Sequence, residues 1–384
     1  MVRKPWHLVA LVLSVVLAYT YTSNLRATVP LPTEQKALFL SGPKGRFATR
    51  HTTVPSPGAG EILVEIHATA LNPVDWKIKA YNFLIEEYPA ILGTDAAGVV
   101  KAVGKGVKNF KVGDRVLHQG YFDNRHATFQ QYTVVPAEIA AKLPPKLTFE
   151  QGASFPLAMG TAACGLYNQR QESPGGAGLY PPWEQGGRGK YAGQPILIIG
   201  GSSSVGQQAI QFAKLSGFSP IITIASRRNE LRLRSRGATH VIDRSVPLSR
   251  LQDTIREITD KPLEIAYDAI ADYNTQNAAY GALASGGKLI LTLDAAIEQE
   301  KLTEDKTIVN VFGNVHVPTQ REVGVGLYRN LTAMLEAGDL KPNEVQVVRG
   351  GLGGIPGGLE SLKRGGISFL KLVVFPQDGA EQRN

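Results

Sequence analysis

Between Pro195 and Gly206 the chain reads PILIIGGSSSVG, an apolar run that breaks into a turn of small residues and resumes as the amphipathic stretch Gln207–Ser216. A backbone that approaches a pyrophosphate closely needs residues without bulk, and a helix starting beyond the turn supplies unpaired N–H groups and partial positive charge. Gly200, Gly201 and Gly206 fit such a dinucleotide site, although a ligand-free strand-to-helix turn could use the same glycines. The charge downstream separates the two. About 20 residues past the last glycine, an NAD-selective site places a carboxylate on the ribose hydroxyls. This chain has Ser226-Arg227-Arg228-Asn229 there. A carboxylate would repel a 2′-phosphate, whereas a hydroxyl and two guanidiniums accept one through charge-assisted hydrogen bonds. The expected cofactor is NADPH; solvated arginines opening a helix are the alternative, and Arg232, Arg234 and Arg236 fall to that solvated face.

The elements around this turn form a regular series. Ile196–Ile199, Pro220–Ala225, His240–Ile242, Glu264–Asp268 and Lys288–Thr292 are strand-like, and the amphipathic stretches Gln207–Ser216, Asn229–Arg236 and Thr275–Leu283 lie between them. Such alternation implies a parallel, doubly wound sheet. Upstream, Glu61–Ala70 alternates like a half-buried strand, and Ala97–Val103, Arg115–His118 and Gln131–Val135 are further short strands. With no long helix expected before Glu150, that part reads as an all-β, barrel-like module. Phe155–Tyr167 is helical, and a Gly- and Pro-rich insertion, Glu172–Gln194, comes after it; its Pro181-Pro182-Trp183-Glu184 could cover a cleft. The fold class is α/β.

Charge and composition narrow the function. The 384 residues carry a net charge of +8, with 43% hydrophobic and 19% charged residues, a folded chain of about two domains. The charge sits in two places: residues 1–50 hold seven basic residues against one acid, and Ser226–Arg256 holds eight arginines against three acids. With no chain-wide basic field, nucleic acid is not an expected partner. One cysteine, Cys164, excludes an intrachain disulfide framework and a Cys-rich zinc module. Residues 5–25 contain no charge, Leu8–Tyr21 is almost wholly apolar, and Arg3, Lys4 and Arg26 flank it. That layout predicts a membrane anchor or signal, with a buried helix or an extension from a misplaced start codon as alternatives; the protein would then be membrane-anchored, or cytoplasmic if the segment is no anchor.

Several motifs in order, LNPVDWK (Leu71–Lys77), PAILGTDAAGVVKAVGKGVKNFKVGDRV (Pro89–Val116), GASFPLAMGTAACGLY (Gly152–Tyr167), ILIIGGSSSVGQ (Ile196–Gln207), GATHVID (Gly237–Asp243) and SFLKLVV (Ser368–Val374), resemble the medium-chain dehydrogenase/reductase superfamily. The wording is most similar to its zinc-independent quinone-oxidoreductase branch and to fungal trans-acting enoyl reductases. The resemblance implies a GroES-like β-barrel catalytic domain, residues 34–155 and 315–384, around an inserted Rossmann domain, residues 156–314, and a homodimer acting on a small molecule. It places Ser202, Ser203, Ser204 and Val205 at the cofactor phosphates, Ser226, Arg227 and Asn229 near the 2′-phosphate, and Phe312-Gly313 near the nicotinamide. Arg244 stands where relatives often have a Tyr near the adenine.

The same resemblance addresses metal and mechanism. Zinc alcohol dehydrogenases of the superfamily carry a Cys in the segment aligned with Asn72–Asp75 and a His-Glu pair after the glycine matching Gly93. Here Thr94-Asp95 follow Gly93, and no three-ligand set remains, so no metal is expected. Hydride delivery to an activated carbon of an enone, enoyl thioester or quinone is then the easier chemistry, and the developing oxyanion needs a donor. Asn72 and Lys77 are the catalytic candidates near the nicotinamide. Asp75 contacts the cofactor end or braces its loop. Tyr81, Tyr88 or water could return the proton. A nucleotide-binding protein of low turnover and an alcohol dehydrogenase-like carbonyl reductase are the competing functions.

Overall fold

The structure, a computed structural model, describes residues 30–170 and 172–378. The apolar run Leu8–Tyr21, and the anchor or signal expected from it, lie outside the described residues; among those described, no helix is long and apolar enough to cross a membrane. The unit that carries every element named below begins at Glu34.

Two antiparallel-rich sheets form the first module. Strands β1 (Glu34–Leu40), β2 (Phe47–Thr53) and β4 (Ala90–Ile91) make a small sheet, β2-β1-β4. Strands β3 (Glu61–Ala70), β5 (Asp95–Val103), β6 (Arg115–Gln119), β7 (Tyr132–Pro136) and β8 (Ala140–Lys142) join β15 (Glu344–Val347) and β16 (Leu370–Val374) in a seven-stranded sheet, in which β7 pairs β3 beside the main path β15-β16-β3-β5-β6-β8. The late strand β16 therefore completes a sheet begun some 300 residues earlier, with Val373 opposite Ala70 and Val374 opposite Thr69.

Helix α1 (Pro73–Tyr81) lies between β3 and β4, where the sequence pattern indicates no long helix. Its nine residues are too few to show a clear period, and end signals define it instead: Pro73 opens the first turn, and the Asp75 carboxylate accepts the Asn72 N–H at 2.8 Å. Helices α2 (Phe149–Ala153) and α3 (Pro156–Tyr167) lead into the second module. Apart from the half-exposed Leu157, every residue of α3 is buried, so it is apolar all round.

The second module is a six-stranded parallel sheet, ordered β11-β10-β9-β12-β13-β14. Its elements are β9 (Ile196–Ile199), α4 (Ser204–Ser216), β10 (Ile221–Ala225), α5 (Glu230–Arg236), β11 (His240–Asp243), α6 (Leu251–Ile258), β12 (Ile265–Asp268), α7 (Tyr273–Ala282), β13 (Lys288–Leu291) and β14 (Thr307–Asn310). The order reverses beside β9, and in open parallel sheets ligands bind at the carboxyl ends of strands at such a switch point. The turn Gly200–Ser203 sits there. Helices α8 (Pro318–Ala337) and α9 (Ile355–Arg364) return the chain to β16.

Residues 181–191 of the Glu172–Gln194 insertion lie away from this end of the sheet, whereas its start reaches the carboxyl end of β14, where the Gly175 N–H bonds the Asn310 carbonyl at 3.0 Å. Trp183 packs edge-on against Tyr167 and Phe212 with ring centroids 5.1 and 5.9 Å away, and Gly189 and Tyr191 bond Leu215 and Ser216 at the last turn of α4. Apolar contact draws the segment to the opposite end of α4 from the glycine turn.

Candidate active site

At the phosphate turn, Gly200 has φ +77°, and a Cβ on Gly206 would lie 2.2 Å from the Gly200 carbonyl oxygen, so the tight turn itself requires these glycines. Ser203 caps α4 by accepting the Gly206 N–H at 3.0 Å. The N–H groups of Ser204 and Val205, in the first helical turn, have no acceptor within the helix and stand half-exposed beside Ser202. This cradle fits a pyrophosphate.

The end of β10 carries the charge expected from the sequence. Arg227 and Arg228 are exposed; the Arg227 side chain is 81% accessible, with Glu230 3.8 Å from its Nε. Bonds from the Ser245 hydroxyl and N–H, with a third from the Arg227 backbone N–H at 3.0 Å, hold the Asp243 carboxylate below its ordinary range. Ser226 is half-buried and Arg244 exposed beside them. Asn229 is 4% exposed and spends its amide on Ser202 Oγ at 2.9 Å and Ser368 Oγ at 3.0 Å. It braces the turn from behind.

The other wall is built on α1 and the strands beneath it. Asn72 is buried: its Nδ2 donates to Asp95 Oδ2 at 2.7 Å and weakly to Thr94 Oγ1 at 3.3 Å, while its Oδ1 accepts from Lys371 Nζ. Lys371 Nζ also lies 2.9 Å from Asp95 Oδ2, both side chains nearly inaccessible. Asp95 Oδ1 accepts the Leu157 N–H at 2.6 Å, at the start of α3. Burial pushes Asp75 up to about 7, with Asp95 adding to the rise and the Asn72 N–H and Lys371 opposing it. Asp75 Oδ1 has no partner among the described residues.

Beyond this buried layer, Lys77 is half-exposed, and partial burial lowers its pKa. Tyr81, one turn on, is 67% exposed with its ring 6.0 Å from Trp76. The Tyr88 hydroxyl donates to Asn82 at 3.1 Å.

Phe312 and Gly313 follow β14. Gln119 holds this segment by donating to the Gly313 carbonyl at 2.8 Å and accepting the Val315 N–H at 2.9 Å, and a Cβ on Gly313 would meet Thr161 Oγ1 at 2.0 Å. His118 and His316 both bond the Gln119 carbonyl, at 3.0 and 2.9 Å; burial holds them down to about 4 and about 3, so both are neutral donors. Phe122 packs against Phe312 at 6.1 Å.

An alcohol dehydrogenase GroES-like domain matches residues 58–145, and a zinc-binding dehydrogenase domain matches residues 204–303. The trans-enoyl reductase buaC of Petromyces alliaceus is 31% identical over 364 residues, covering 89% of this chain and 97% of its own. The chain belongs to the medium-chain dehydrogenase/reductase superfamily. Another member, the enoyl reductase component lovC of the lovastatin nonaketide synthase of Aspergillus terreus, is 30% identical over 362 residues, 89% of this chain and 96% of its own. Among solved structures, an alcohol dehydrogenase superfamily protein from Novosphingobium aromaticivorans superposes with a TM-score of 0.73 at 26% identity, covering 89% of this chain and 99% of that one. This medium-chain dehydrogenase/reductase is an oxidoreductase that uses a nicotinamide cofactor and acts on small molecules.

One matched domain is named for zinc, and the residues present do not fit that ion. At the Asn72, Thr94 and Asp95 corner, an ammonium already engages the amide oxygen and the carboxylate. No group of three or more His, Cys, Asp or Glu among the described residues is placed to hold a metal. Cys164 is buried in α3, and burial pushes its thiol up to about 12.

The structure thus brings Ser202–Val205, Ser226, Arg227 and Arg228 to one end of the parallel sheet, and Asn72, Asp75, Lys77 and Tyr81 to one short helix and its cap. Asn72 and Asn229 face inward. Sequence reasoning missed Asp95, Ser368 and Lys371 as members of these networks. The signal for Lys371 was available: a lone charge inside the apolar strand LKLVV is either misplaced or buried with a partner.

Proposed function

We propose that the protein is a zinc-independent, NADPH-dependent reductase that delivers hydride to the β-carbon of an α,β-unsaturated carbonyl. The observation that carries this is the open guanidinium of Arg227 at the end of β10, in a turn whose nearby carboxylate, Asp243, is engaged by backbone. Arg227, Arg228 and Ser226 accept the 2′-phosphate, Ser204 and Val205 the pyrophosphate. The relatives named as trans-enoyl reductases support the enoyl choice.

The reduced nicotinamide supplies the hydride. As the carbonyl oxygen gathers charge, Lys77 on α1 is the cation that meets it, and partial desolvation strengthens the field of this lysine. Asn72 and Asp75 position that helix. Tyr81, on the Lys77 face, or solvent returns the proton to the α-carbon; a loss of more than about tenfold in kcat for Tyr81→Phe assigns it to the tyrosine. Residues 34–155 and 315–384 form the catalytic domain around 156–314, and the unit is a homodimer, which sedimentation tests.

An NADPH-oxidation screen over enals, enones, enoyl thioesters and quinones, with product identification, tests the function. Saturation of the C=C bond is expected; reduction of quinones alone would move the activity to that class, and absence of NADPH binding would remove the proposal.

A further inference from the structure

Lys371 belongs to no part of the reaction described so far, yet its ammonium is among the most deeply buried charges of the chain, 3% exposed. Withdrawing an ammonium from water costs several kcal/mol even after relaxation, so its partners have to compensate. Its two partners come from separate elements. Asp95 starts β5 and also receives the Leu157 N–H that opens α3. Asn72 is the cap residue of α1, and its side chain engages both Lys371 and Asp95. The backbone on both sides is fixed as well, since the Leu71 N–H bonds the Leu372 carbonyl at 2.9 Å. The N-cap of α1 therefore cannot move without breaking the hydrogen bonds that tie Asn72 to Lys371 and Asp95. Lys77 follows Asn72 by about one and a half helical turns, at about 3.6 residues per turn.

We propose that Lys371 is a positioning residue for hydride transfer: its ammonium locks Asn72 against Asp95 and thereby sets the N-terminus of the helix that presents Lys77. This rests on the placement of Lys77 at the reacting carbon proposed above. Lys371 itself touches neither substrate nor cofactor in this role, so its loss lowers kcat while leaving NADPH affinity intact.

Three variants test it. Lys371→Met leaves Asp95 without its cation and is expected to be unstable. Lys371→Met/Asp95→Asn removes both charges while keeping an amide oxygen for the Leu157 N–H. Lys371→Arg keeps the charge but displaces its donors. For each variant that melts within about 5 °C of the wild type, Kd for NADPH by fluorescence and kcat with the best acceptor of the screen are measured. The expected result is a kcat lowered by about tenfold or more in the charge-free variant, equivalent to about 1.4 kcal/mol of barrier, with a smaller loss in the arginine variant and Kd unchanged within about twofold. A folded variant with wild-type kcat overturns the proposal, as does a parallel loss of NADPH affinity. A wild type that fails to oxidise NADPH in the presence of every acceptor screened would instead end the reductase reading, leaving the two failures distinct.

Discussion

The Asn229 amide donates to Ser368 Oγ at 3.0 Å and to Ser202 Oγ at 2.9 Å, joining the second strand's end, the phosphate turn and the approach to β16. Next to it, the Phe369 N–H binds the Ser202 carbonyl at 3.1 Å, with Phe369 held at φ +63°. The catalytic module thus braces the phosphate turn directly. Ser368→Ala removes one such bond, of about 1 kcal/mol, and should weaken NADPH binding by about fivefold with kcat little changed. Fluorescence titration measures it, and an unaltered Kd would show that the brace is not needed.

Cofactor choice is open to charge reversal. Arg227→Glu replaces a guanidinium with the carboxylate that NAD-selective sites use, so KM for NADPH should rise by about 10–100-fold while KM for NADH changes much less. Equal effects on the two cofactors would remove the 2′-phosphate from Arg227.

Asp75 gives a pH signature. Its folded-state pKa, about 7, lies above the ordinary carboxylate value, so the folded protein binds this proton more tightly than the unfolded chain. The associated stability is present at acidic pH and is lost as pH rises from about 4 through about 7. Asp75→Asn keeps an acceptor for the Asn72 N–H and removes the titration. At pH 8 it should melt about 2–4 °C higher for each 1 kcal/mol regained, and thermal scans from pH 5 to 9 should show the variant's advantage vanish at the acid end.

Trp183→Ala tests the far side of the molecule. Losing the ring that packs on Tyr167 and Phe212 should cost about 3–5 kcal/mol of stability. Because Trp183 packs at the end of α4 away from the phosphate turn, KM for NADPH should not change below the melting transition. A selective rise in KM would place the insertion in the cleft after all.

Legibility in the sequence depended on the physics of each element. The parallel module was legible because its strands are buried on both faces and its helices are amphipathic, as in Ile196–Ile199 followed by Ser204–Ser216. The arginines after β10 were legible because selectivity there depends on charge at a fixed distance from a glycine turn. Helix α1 was hidden by its length, and the inward orientation of Asn72 and Asn229 by the fact that an amide reads alike whether it meets ligand or protein. The partners of Lys371 and Ser368 were hidden for a different reason: Asn72 and Asn229 lie 299 and 139 residues away in the chain, and only the fold brings them together.

The pairing of β16 with β3 also sets an order of events during synthesis. Every strand of the six-stranded sheet lies between Ile196 and Asn310, so that sheet is complete on the ribosome before β16 exists. Lys371 emerges 299 residues after Asn72, a wait of about 15–60 s at about 5–20 residues per second. Until then Asp95 has no cation and the end of β3 at Thr69 and Ala70 lacks its partner strand. The nascent chain is therefore most exposed to misassembly in the module translated first, which closes last.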